Sequence, residues 1–212
     1  MRTAPDLSTR LRRGLGALGL HLPDDRVDRL LAYVALLSRW NAAYNLTAVR
    51  DPAEMVSRHL LDSLAILPWV RGPRVLDVGT GPGLPGIPIG LADPTLQVTL
   101  LDANGKKVRF CRQAVMELGL GNVEVVQARA EAHRPAEGFA TITARAVSDL
   151  PSLVAAVRHL LAADTALLAM KGALPEVEIA TLRGAGLSVA PHRLRVPGID
   201  AERHLVEIRA SS

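Results

Sequence analysis

Residues 74–86 read Arg-Val-Leu-Asp-Val-Gly-Thr-Gly-Pro-Gly-Leu-Pro-Gly, and this stretch decides the fold of the 212-residue chain. A short apolar run that contains Val75, Leu76 and Val78 stops at four glycines within eight residues. Glycine lets the backbone turn sharply and approach a ligand, because no Cβ stands in the way. An apolar strand that feeds a glycine-rich turn is typical of the cofactor pocket in doubly wound α/β proteins. The stretch therefore predicts an α/β fold with a cofactor at this turn.

The chain before this stretch predicts helices and no strand. Residues 6–20 have an Arg-rich amphipathic pattern, and a second helix with apolar residues at three-to-four spacing follows. A third helix begins at Asp51 and Pro52, because Asp is a favoured cap and Pro suits the first helical position. We therefore expect an N-terminal helical segment over residues 1–70 and a cofactor-binding domain over residues 71–212.

After residue 74 the pattern changes to strands that alternate with helices. The predicted strands are 75–79, 98–102, 123–128, 139–146, 166–170, 187–196 and 204–208. Such alternation predicts a parallel sheet with right-handed crossovers. No helix separates the last two strands, so they should pair as an antiparallel hairpin. We expect a Rossmann-like, seven-stranded, mostly parallel sheet whose last strand is antiparallel to the others.

Composition and charge limit the function classes. The formal net charge is +4, which suits a polyanionic partner, although each basic cluster could equally be a solvated helix face. The single cysteine, Cys111, cannot form an internal disulfide and fits the reducing cytoplasm. We expect no metal site and no membrane span, because neither ligand pairs nor a long apolar run occur. The two basic clusters are Arg2, Arg10, Arg12 and Arg13, and Lys106, Lys107, Arg109 and Arg112.

Charged residues follow the predicted strands at their carboxyl ends, where open α/β sheets bind ligands. Each could be a loop residue that meets water, but together they predict one site along one edge of the sheet. These residues are Asp77, Asp102, Arg129, Glu131, Arg145 and Lys171.

Asp102 lies about 20 residues after the first glycines, a spacing at which a carboxylate accepts hydrogen bonds from a ribose. Both a dinucleotide and S-adenosyl-L-methionine contain such a ribose. A pyrophosphate needs free N–H groups, and prolines at positions 82, 85 and 88 supply none. The residues 77–83 also fit the D/E-x-G-x-G-x-G pattern of methyltransferases. The loop therefore favours S-adenosylmethionine, which carries no phosphate.

The residues exclude two classes of methyl acceptor and are compatible with a third. Residues 143–146, after the fourth strand, are not the Asp/Asn-Pro-Pro-Tyr motif of many amine methyltransferases. Cys111 lies on the helix after the second strand, where a cytosine-C5 nucleophile is not expected, so we interpret it as a small packed residue. No pair of residues indicates an activated nucleophile. An acceptor with a free lone pair, such as guanine N7, would need only proximity and alignment.

Several motifs together resemble the RsmG (GidB) family of bacterial rRNA methyltransferases. They are Trp40-Asn41, Tyr44-Asn45-Leu46-Thr47, His59-Leu-Leu-Asp62-Ser63-Leu64, residues 77–86, Leu101-Asp102, Lys106-Lys107, Arg129-Ala130-Glu131, Arg145-Ala146 and Lys171-Gly172. The resemblance implies methyl transfer from S-adenosylmethionine to N7 of one guanosine in 16S rRNA. It also implies cofactor contacts from Gly79, Leu84, Ala130, Glu131 and Arg145. To these we add Gly81, Gly83 and Asp102 from the loop pattern and the ribose argument.

Three residues could border the substrate guanine, although the sequence identifies no catalytic residue. They are Asn45, His59 and Lys171. Asn45 could equally be a helix C-cap, and His59 could simply be a partner for Asp62 on its own helix. Trp40 and Tyr44 are interpreted as packing residues rather than as platforms for base stacking.

The resemblance also implies a partner, the small ribosomal subunit or its assembly precursor. The single cysteine favours a cytoplasmic location, and we expect a monomer because no surplus apolar helix indicates an obligate dimer. Two other functions remain open at this stage. One is methylation of a small molecule, and the other is a non-catalytic RNA-binding protein that retains the cofactor fold.

Overall fold

The computed structural model describes residues 6–146 and 149–210. Its helices are α1 (Leu7–Ala17), α2 (Asp24–Tyr44), α3 (Pro52–Met55), α4 (Asp62–Leu64), α5 (Gly86–Ala92), α6 (Gly105–Glu117), α7 (Leu150–Val157) and α8 (Glu176–Gly184). A π-helical segment, Val56–Leu61, joins α3 to α4. Three short 3₁₀ turns lie at Leu67–Trp69, Ala130–Ala132 and Arg158–Leu160.

Seven strands form one sheet in the order β3-β2-β1-β4-β5-β7-β6. They are β1 (Arg74–Val78), β2 (Gln97–Asp102), β3 (Val123–Gln127), β4 (Thr141–Arg145), β5 (Ala166–Lys171), β6 (Leu187–Leu194) and β7 (Arg203–Ala210). The first five strands pair in parallel, and β7 is antiparallel to both β5 and β6. The predicted seven-stranded sheet with an antiparallel last strand is confirmed.

The third helix begins as predicted and then departs from a regular α-helix. The Asp51 carboxylate accepts a hydrogen bond of 2.9 Å from the N–H of Ala53, and Pro52 occupies the first turn. The predicted helix continues to Leu64, but its middle part, Val56–Leu61, is π-helical. Its i→i+5 bonding cannot be recognised from an apolar pattern only six residues long. This wider turn carries Arg58 and His59, which both line a cavity described below.

The two faces of the sheet are covered by different helices. The helical segment, α5 and α6 bury their apolar side chains together with Val75, Val98 and Leu100 on one face. The helices α7 and α8 cover the other face, which includes Leu76 and Ile142. The N-terminal helices therefore share a continuous core with the sheet.

No helix within residues 6–146 and 149–210 has both the length and the apolar character needed to cross a membrane.

Candidate cofactor loop and substrate cavity

The glycine loop after β1 uses its own backbone donors. Each backbone N–H from position 79 to position 87, apart from the two prolines, donates a hydrogen bond to a protein oxygen. The acceptors are the Leu101 carbonyl for Gly79 and Thr80, Asp102 Oδ2 for Gly81, the Thr80 carbonyl for Gly83 and Leu84, Asp77 Oδ2 for Gly86, and the Gly83 carbonyl for Ile87. A pyrophosphate would need free donors at such a turn. The loop is therefore suited to a ligand without phosphate.

Asp77 lies beneath the loop and not at the edge of the sheet. Its side chain is fully buried, and its Oδ2 accepts hydrogen bonds from the Thr80 hydroxyl (2.5 Å) and the Gly86 N–H (2.9 Å). Its Oδ1 accepts from the Thr143 hydroxyl at 3.1 Å. Burial raises the pKa of Asp77 to about 6, although these hydrogen bonds favour the ionised form. The expectation that Asp77 belongs to the rim of the site is wrong, because this carboxylate holds the loop to the strand.

The glycines of the loop are required for different reasons. A Cβ at Gly83 would collide with the Ile87 side chain, and a Cβ at Gly86 would collide with Leu100. Gly81 is different, because a Cβ there would meet no atom closer than the Gly79 carbonyl oxygen at 3.9 Å. Its φ of +60° is one that glycine adopts without strain. Gly81 thus borders space that the protein does not fill, as a ligand-contacting position requires.

Two buried side chains support the loop from below. The Tyr33 hydroxyl, on α2, donates a hydrogen bond of 2.7 Å to the Pro82 carbonyl. The Cys111 thiol, on α6, lies 3.4 Å from the Gly81 carbonyl oxygen. Burial, followed by the charge of Asp77, raises the pKa of Cys111, so this thiol is not an activated nucleophile. Its interpretation as a packed residue is confirmed by its complete burial.

Asp102, at the end of β2, is linked to the loop by a contact that the sequence did not predict. Its Oδ2 accepts from the Gly81 N–H at 2.9 Å, and its Oδ1 accepts from the Asn104 N–H at 2.8 Å. A carboxylate offers about four acceptor sites, so both oxygens keep capacity for ribose hydroxyls. Ala130 and Glu131 form the 3₁₀ turn after the neighbouring strand β3, on the same edge of the sheet.

Leu84 is placed differently from the other predicted cofactor residues. Its side chain is only 1% exposed and belongs to the apolar core. A contact with the cofactor from this side chain therefore stays a prediction.

A cavity of about 330 Å³ opens at the carboxyl ends of β4 and β5. Its walls come from the helical segment, β4, β5 and the start of β7. The residues that define it include Arg58, His59, Asp62, Arg145, Lys171 and Arg203. Directly after Arg145, Ala146 has a φ of +53°, a conformation that residues other than glycine rarely adopt. Three of the predicted site residues, His59, Arg145 and Lys171, are thus brought together.

His59 is buried in the wall of this cavity. Its Nε2 lies 2.9 Å from the Thr47 hydroxyl, whereas its Nδ1 has no hydrogen-bond partner among the described residues. Burial, and then the charge of Arg145, lowers the pKa of His59 to about 4, so the ring is neutral near pH 7. The alternative that His59 pairs with Asp62 is wrong, because the Asp62 carboxylate contacts Arg145 and Arg203 instead.

Asn45 and Lys171 have different environments. Asn45 is the left-handed C-cap of α2, with φ +49°, and its Oδ1 accepts from Arg50 at 2.9 Å. It does not line the cavity, so the structure favours the C-cap reading of Asn45. The Lys171 ammonium lies 3.3 Å from Glu178 Oε2, at the cavity wall.

The cavity also contains residues that the sequence did not single out. Asp62 was part of a motif but had no assigned role, and Arg203 was not considered. The two are separated by 141 positions in the chain, yet Arg203 Nε donates to Asp62 Oδ1 at 3.2 Å. No local pattern reveals such a pair, and only the order of the strands brings Arg203 to this edge.

The two basic clusters differ in their pairing. Arg10 donates to the Ser57 hydroxyl at 3.0 Å, and Arg12 pairs with Asp24 at 2.6 Å. Arg2 lies outside the described residues. The second cluster lies on α6 and consists of Lys106, Lys107, Arg109 and Arg112. This α6 cluster takes part in none of the salt bridges of the described chain, so its charge is available for a partner.

Trp40 and Tyr44 pack as expected. Their rings stack with centroids 5.1 Å apart, and Trp40 contacts Phe110 of α6 edge-on at 5.7 Å. They join the helical segment to the sheet layer and are not free platforms for base stacking.

Solved structures with a similar fold are methyltransferases. A glycopeptide N-methyltransferase, MtfA, complexed with S-adenosyl-L-methionine, superposes with a TM-score of 0.63 at 14% identity, covering 73% of this chain and 88% of that one. A SAM dependent methyltransferase from Aquifex aeolicus gives a TM-score of 0.58 at 20% identity, covering 77% and 96%. At these identities the likeness shows the fold alone.

The sequence aligns over nearly its whole length with named relatives. A "Ribosomal RNA small subunit methyltransferase G" from Marinobacter nauticus is 52% identical over 95% of this chain and 94% of its own length. A protein of the same name from Methylococcus capsulatus is 52% identical over 94% and 97%. The family model GidB, rRNA small subunit methyltransferase G, matches residues 26–206. The chain therefore belongs to the GidB family.

Proposed function

We propose that this protein transfers a methyl group from S-adenosylmethionine to N7 of a guanosine in the 16S rRNA of the small ribosomal subunit. One observation carries the proposal. In a chain that belongs to the GidB family, a glycine loop suited to a cofactor without phosphate lies next to a positively charged cavity. The named relatives are methyltransferases of small-subunit rRNA, and we extend that activity to this chain.

The residues of the loop suit S-adenosylmethionine. The cofactor supplies an electrophilic methyl group on a sulfonium when it is bound. Gly81 leaves open space beside the loop, and Asp102 retains acceptor capacity for a ribose. We propose that the cofactor is held by Gly79, Gly81, Gly83, Leu84, Asp102, Ala130, Glu131 and Arg145.

Guanine N7 suits a site without an activated base. N7 has a free lone pair and no proton to lose, so the protein needs to supply only position and a suitable field. The purine becomes positively charged as the new bond forms. A neutral His59 in the cavity wall avoids the repulsion that an imidazolium would exert on that charge.

The target guanosine must be accessible to the cavity. In an A-form helix the N7 edge faces a deep, narrow groove that side chains do not reach. We therefore infer that the guanosine lies in a loop or is extruded from its stack. The unpaired basic cluster on α6 would hold nearby phosphates, and binding should weaken as salt is raised.

We further infer that the enzyme acts as a monomer in the cytoplasm, where ribosomal subunits assemble. Of the large apolar residues in the described chain, only Met116 and Val177 are strongly exposed, which leaves little apolar surface for an obligate partner. Naked 16S rRNA, an assembling particle and the finished subunit are compared as substrates in the same assay.

The direct test uses small subunits and 16S rRNA that lack the modification. They are incubated with the protein and S-adenosylmethionine labelled in its methyl group, and the RNA is then digested to nucleosides. We expect the label in 7-methylguanosine. Label in another nucleoside, or in a small metabolite of an added extract, would contradict the proposal.

The two alternatives give different results. A small-molecule methyltransferase would not be inhibited by heparin, whereas an RNA enzyme should be, because a polyanion competes for its basic surface. A non-catalytic RNA-binding protein would show no binding of S-adenosylmethionine in calorimetry. We expect inhibition in the first experiment and binding in the second.

A further inference from the structure

Asp62 joins two arginines from distant parts of the chain at the cavity. Its Oδ2 lies 3.3 Å from Nη1 of Arg145, which ends β4, and its Oδ1 accepts from Nε of Arg203 at 3.2 Å, which begins β7. The Asp62 residue is only 5% exposed. A buried carboxylate that touches two guanidinium groups fixes the direction of both.

Both guanidinium groups keep donors for a ligand. Beyond the contact with Asp62, Arg145 Nη1 donates to the Arg58 carbonyl at 3.0 Å, and Arg203 Nη1 donates to the Glu202 carbonyl at 2.8 Å. Among the described residues, no hydrogen bond involves Nη2 of either arginine. Each guanidinium has five N–H donors in a planar fork, which matches the geometry of a phosphate.

The local charge is positive after pairing. Of the other bases at the cavity, Arg58 has Glu54 as partner at 3.5 Å and Lys171 has Glu178 at 3.3 Å. His59 adds no charge near pH 7, because burial and the nearby Arg145 lower its pKa. Two guanidinium groups share the single carboxylate of Asp62, so one positive charge stays uncompensated and faces the cavity.

Arg203 is separated from the cofactor loop by its position in the sheet. The glycine loop follows β1, whereas Arg203 begins β7, three strands further along the order β1-β4-β5-β7. Neighbouring strands are about 4.8 Å apart, so β7 lies roughly 14 Å from β1. Arg145 ends β4, next to β1, whereas Arg203 lies on the side of the cavity that the substrate would occupy. A nucleotide of RNA carries its negative charge on phosphate and none on guanine.

We propose that Arg203, positioned by Asp62 beside the cofactor residue Arg145, binds a backbone phosphate of the RNA at or beside the target guanosine. The proposal rests on the proposed function, since it assigns a part of that substrate to a part of that cavity. It makes Asp62 a positioning residue and Arg203 a substrate-binding residue.

The first test compares Arg203→Gln with Arg158→Gln. Arg158 is exposed and follows α7, at the edge of the sheet opposite the cavity, so its substitution removes the same charge elsewhere. Binding of unmodified 16S rRNA is measured by filter retention across a range of salt, and binding of S-adenosylmethionine by calorimetry. For Arg203→Gln we expect about tenfold weaker RNA binding, because a charge-assisted contact is lost. The slope of log K against log salt should fall by about 0.7–0.9, the value for one phosphate contact.

Affinity of Arg203→Gln for S-adenosylmethionine should stay within twofold of the wild type. Weakened cofactor binding with unchanged RNA binding would overturn the proposal and assign Arg203 to the carboxylate of the cofactor. RNA binding and a salt slope no more altered than in Arg158→Gln would also overturn it. Because RNA binding is measured directly, the test remains valid even if the wild-type protein modifies no guanosine, which would refute only the proposed function.

The second test asks whether Asp62→Asn strengthens or weakens RNA binding. This change adds a net positive charge to the cavity, so a role of charge alone predicts tighter RNA binding. Loss of the shared carboxylate frees both guanidinium groups, so positioning predicts weaker RNA binding, by about tenfold. Tighter or equal binding by a variant that still binds S-adenosylmethionine would overturn the role of Asp62. Should this variant fail to fold, the Arg203→Gln comparison decides the phosphate site by itself.

Discussion

The hydroxyl of Tyr33, in the N-terminal helical segment, donates a hydrogen bond of 2.7 Å to the carbonyl oxygen of Pro82, in the middle of the cofactor loop. Tyr33 is fully buried, and its ring lies 6.4 Å from that of Phe110 on α6. The loop is thus held from below by a helix that precedes the sheet in the chain. The helical segment therefore supports the glycine loop and also forms part of the wall of the cavity.

Removing this hydroxyl should weaken both the fold and the loop. The substitution Tyr33→Phe leaves a buried carbonyl without its donor, which costs about 1–3 kcal/mol. We expect that loss in the free energy of unfolding from urea titration, with severalfold weaker binding of S-adenosylmethionine in calorimetry. Tyr44→Phe is the matched control, because the Tyr44 hydroxyl makes no hydrogen bond in the described chain while its ring stacks on Trp40. Equal effects of the two substitutions would argue against a role of Tyr33 in the loop.

A larger side chain at Gly81 should block binding of S-adenosylmethionine without a specific loss of protein stability. The substitution Gly81→Val places a side chain in the open space beside the loop, so we expect loss of S-adenosylmethionine binding by about a hundredfold or more. Gly119→Val is the control, since Gly119 has the same φ of +60° and also has open space around it, but lies at the end of α6. Both variants should lose similar stability from backbone strain. A folded Gly81→Val that binds the cofactor normally would refute the placement of the loop.

The neutral, buried His59 should make stability depend on pH. Its pKa of about 4 in the folded protein lies below the usual 6.5, so the folded state binds fewer protons than the unfolded state between these values. Stability from this residue is therefore complete above pH 6.5 and is lost as pH falls towards 4, by about 3 kcal/mol at most. The variant His59→Gln lacks this titration, so its difference in unfolding free energy from the wild type should shrink over that range.

The titration of Asp77 changes protein stability with pH in the direction opposite to that of His59. The two contributions must therefore be distinguished. Its pKa is raised from 3.8 to about 6, so it favours the folded state at low pH and loses that contribution as pH rises through 6. Asp77 is present in both proteins, so its effect cancels when His59→Gln is subtracted from the wild type. A difference that stays constant between pH 7 and pH 4.5 would show that His59 titrates normally.

The architecture was predictable because its signals are local. Alternating apolar strands and helices after residue 74, and the absence of a helix between the last two strands, predicted seven strands with one antiparallel member. Asp51 and Pro52 likewise marked a helix start that the structure contains. The turn of Val56–Leu61 was missed, because a π-helix and an α-helix share the same short apolar pattern.

The site was predictable only in part. Glycines and prolines indicated a loop suited to a cofactor without phosphate, and the fully engaged N–H groups agree with that reading. The buried role of Asp77 was not foreseen, because a carboxylate at a strand end looks the same in sequence whether it faces solvent or the loop. The pairing of Asp62 with Arg203 depends on two residues 141 positions apart, which only the fold brings together.

The central claim is methylation of guanine N7 in small-subunit rRNA. It is tested most directly by mapping 7-methylguanosine in 16S rRNA from cells with and without this protein, by cleavage at the modified base. We predict one position that is modified when the protein is present, unmodified when its gene is deleted, and restored by the wild-type gene but not by Gly81→Val. Identical 7-methylguanosine patterns in the two strains would contradict the account.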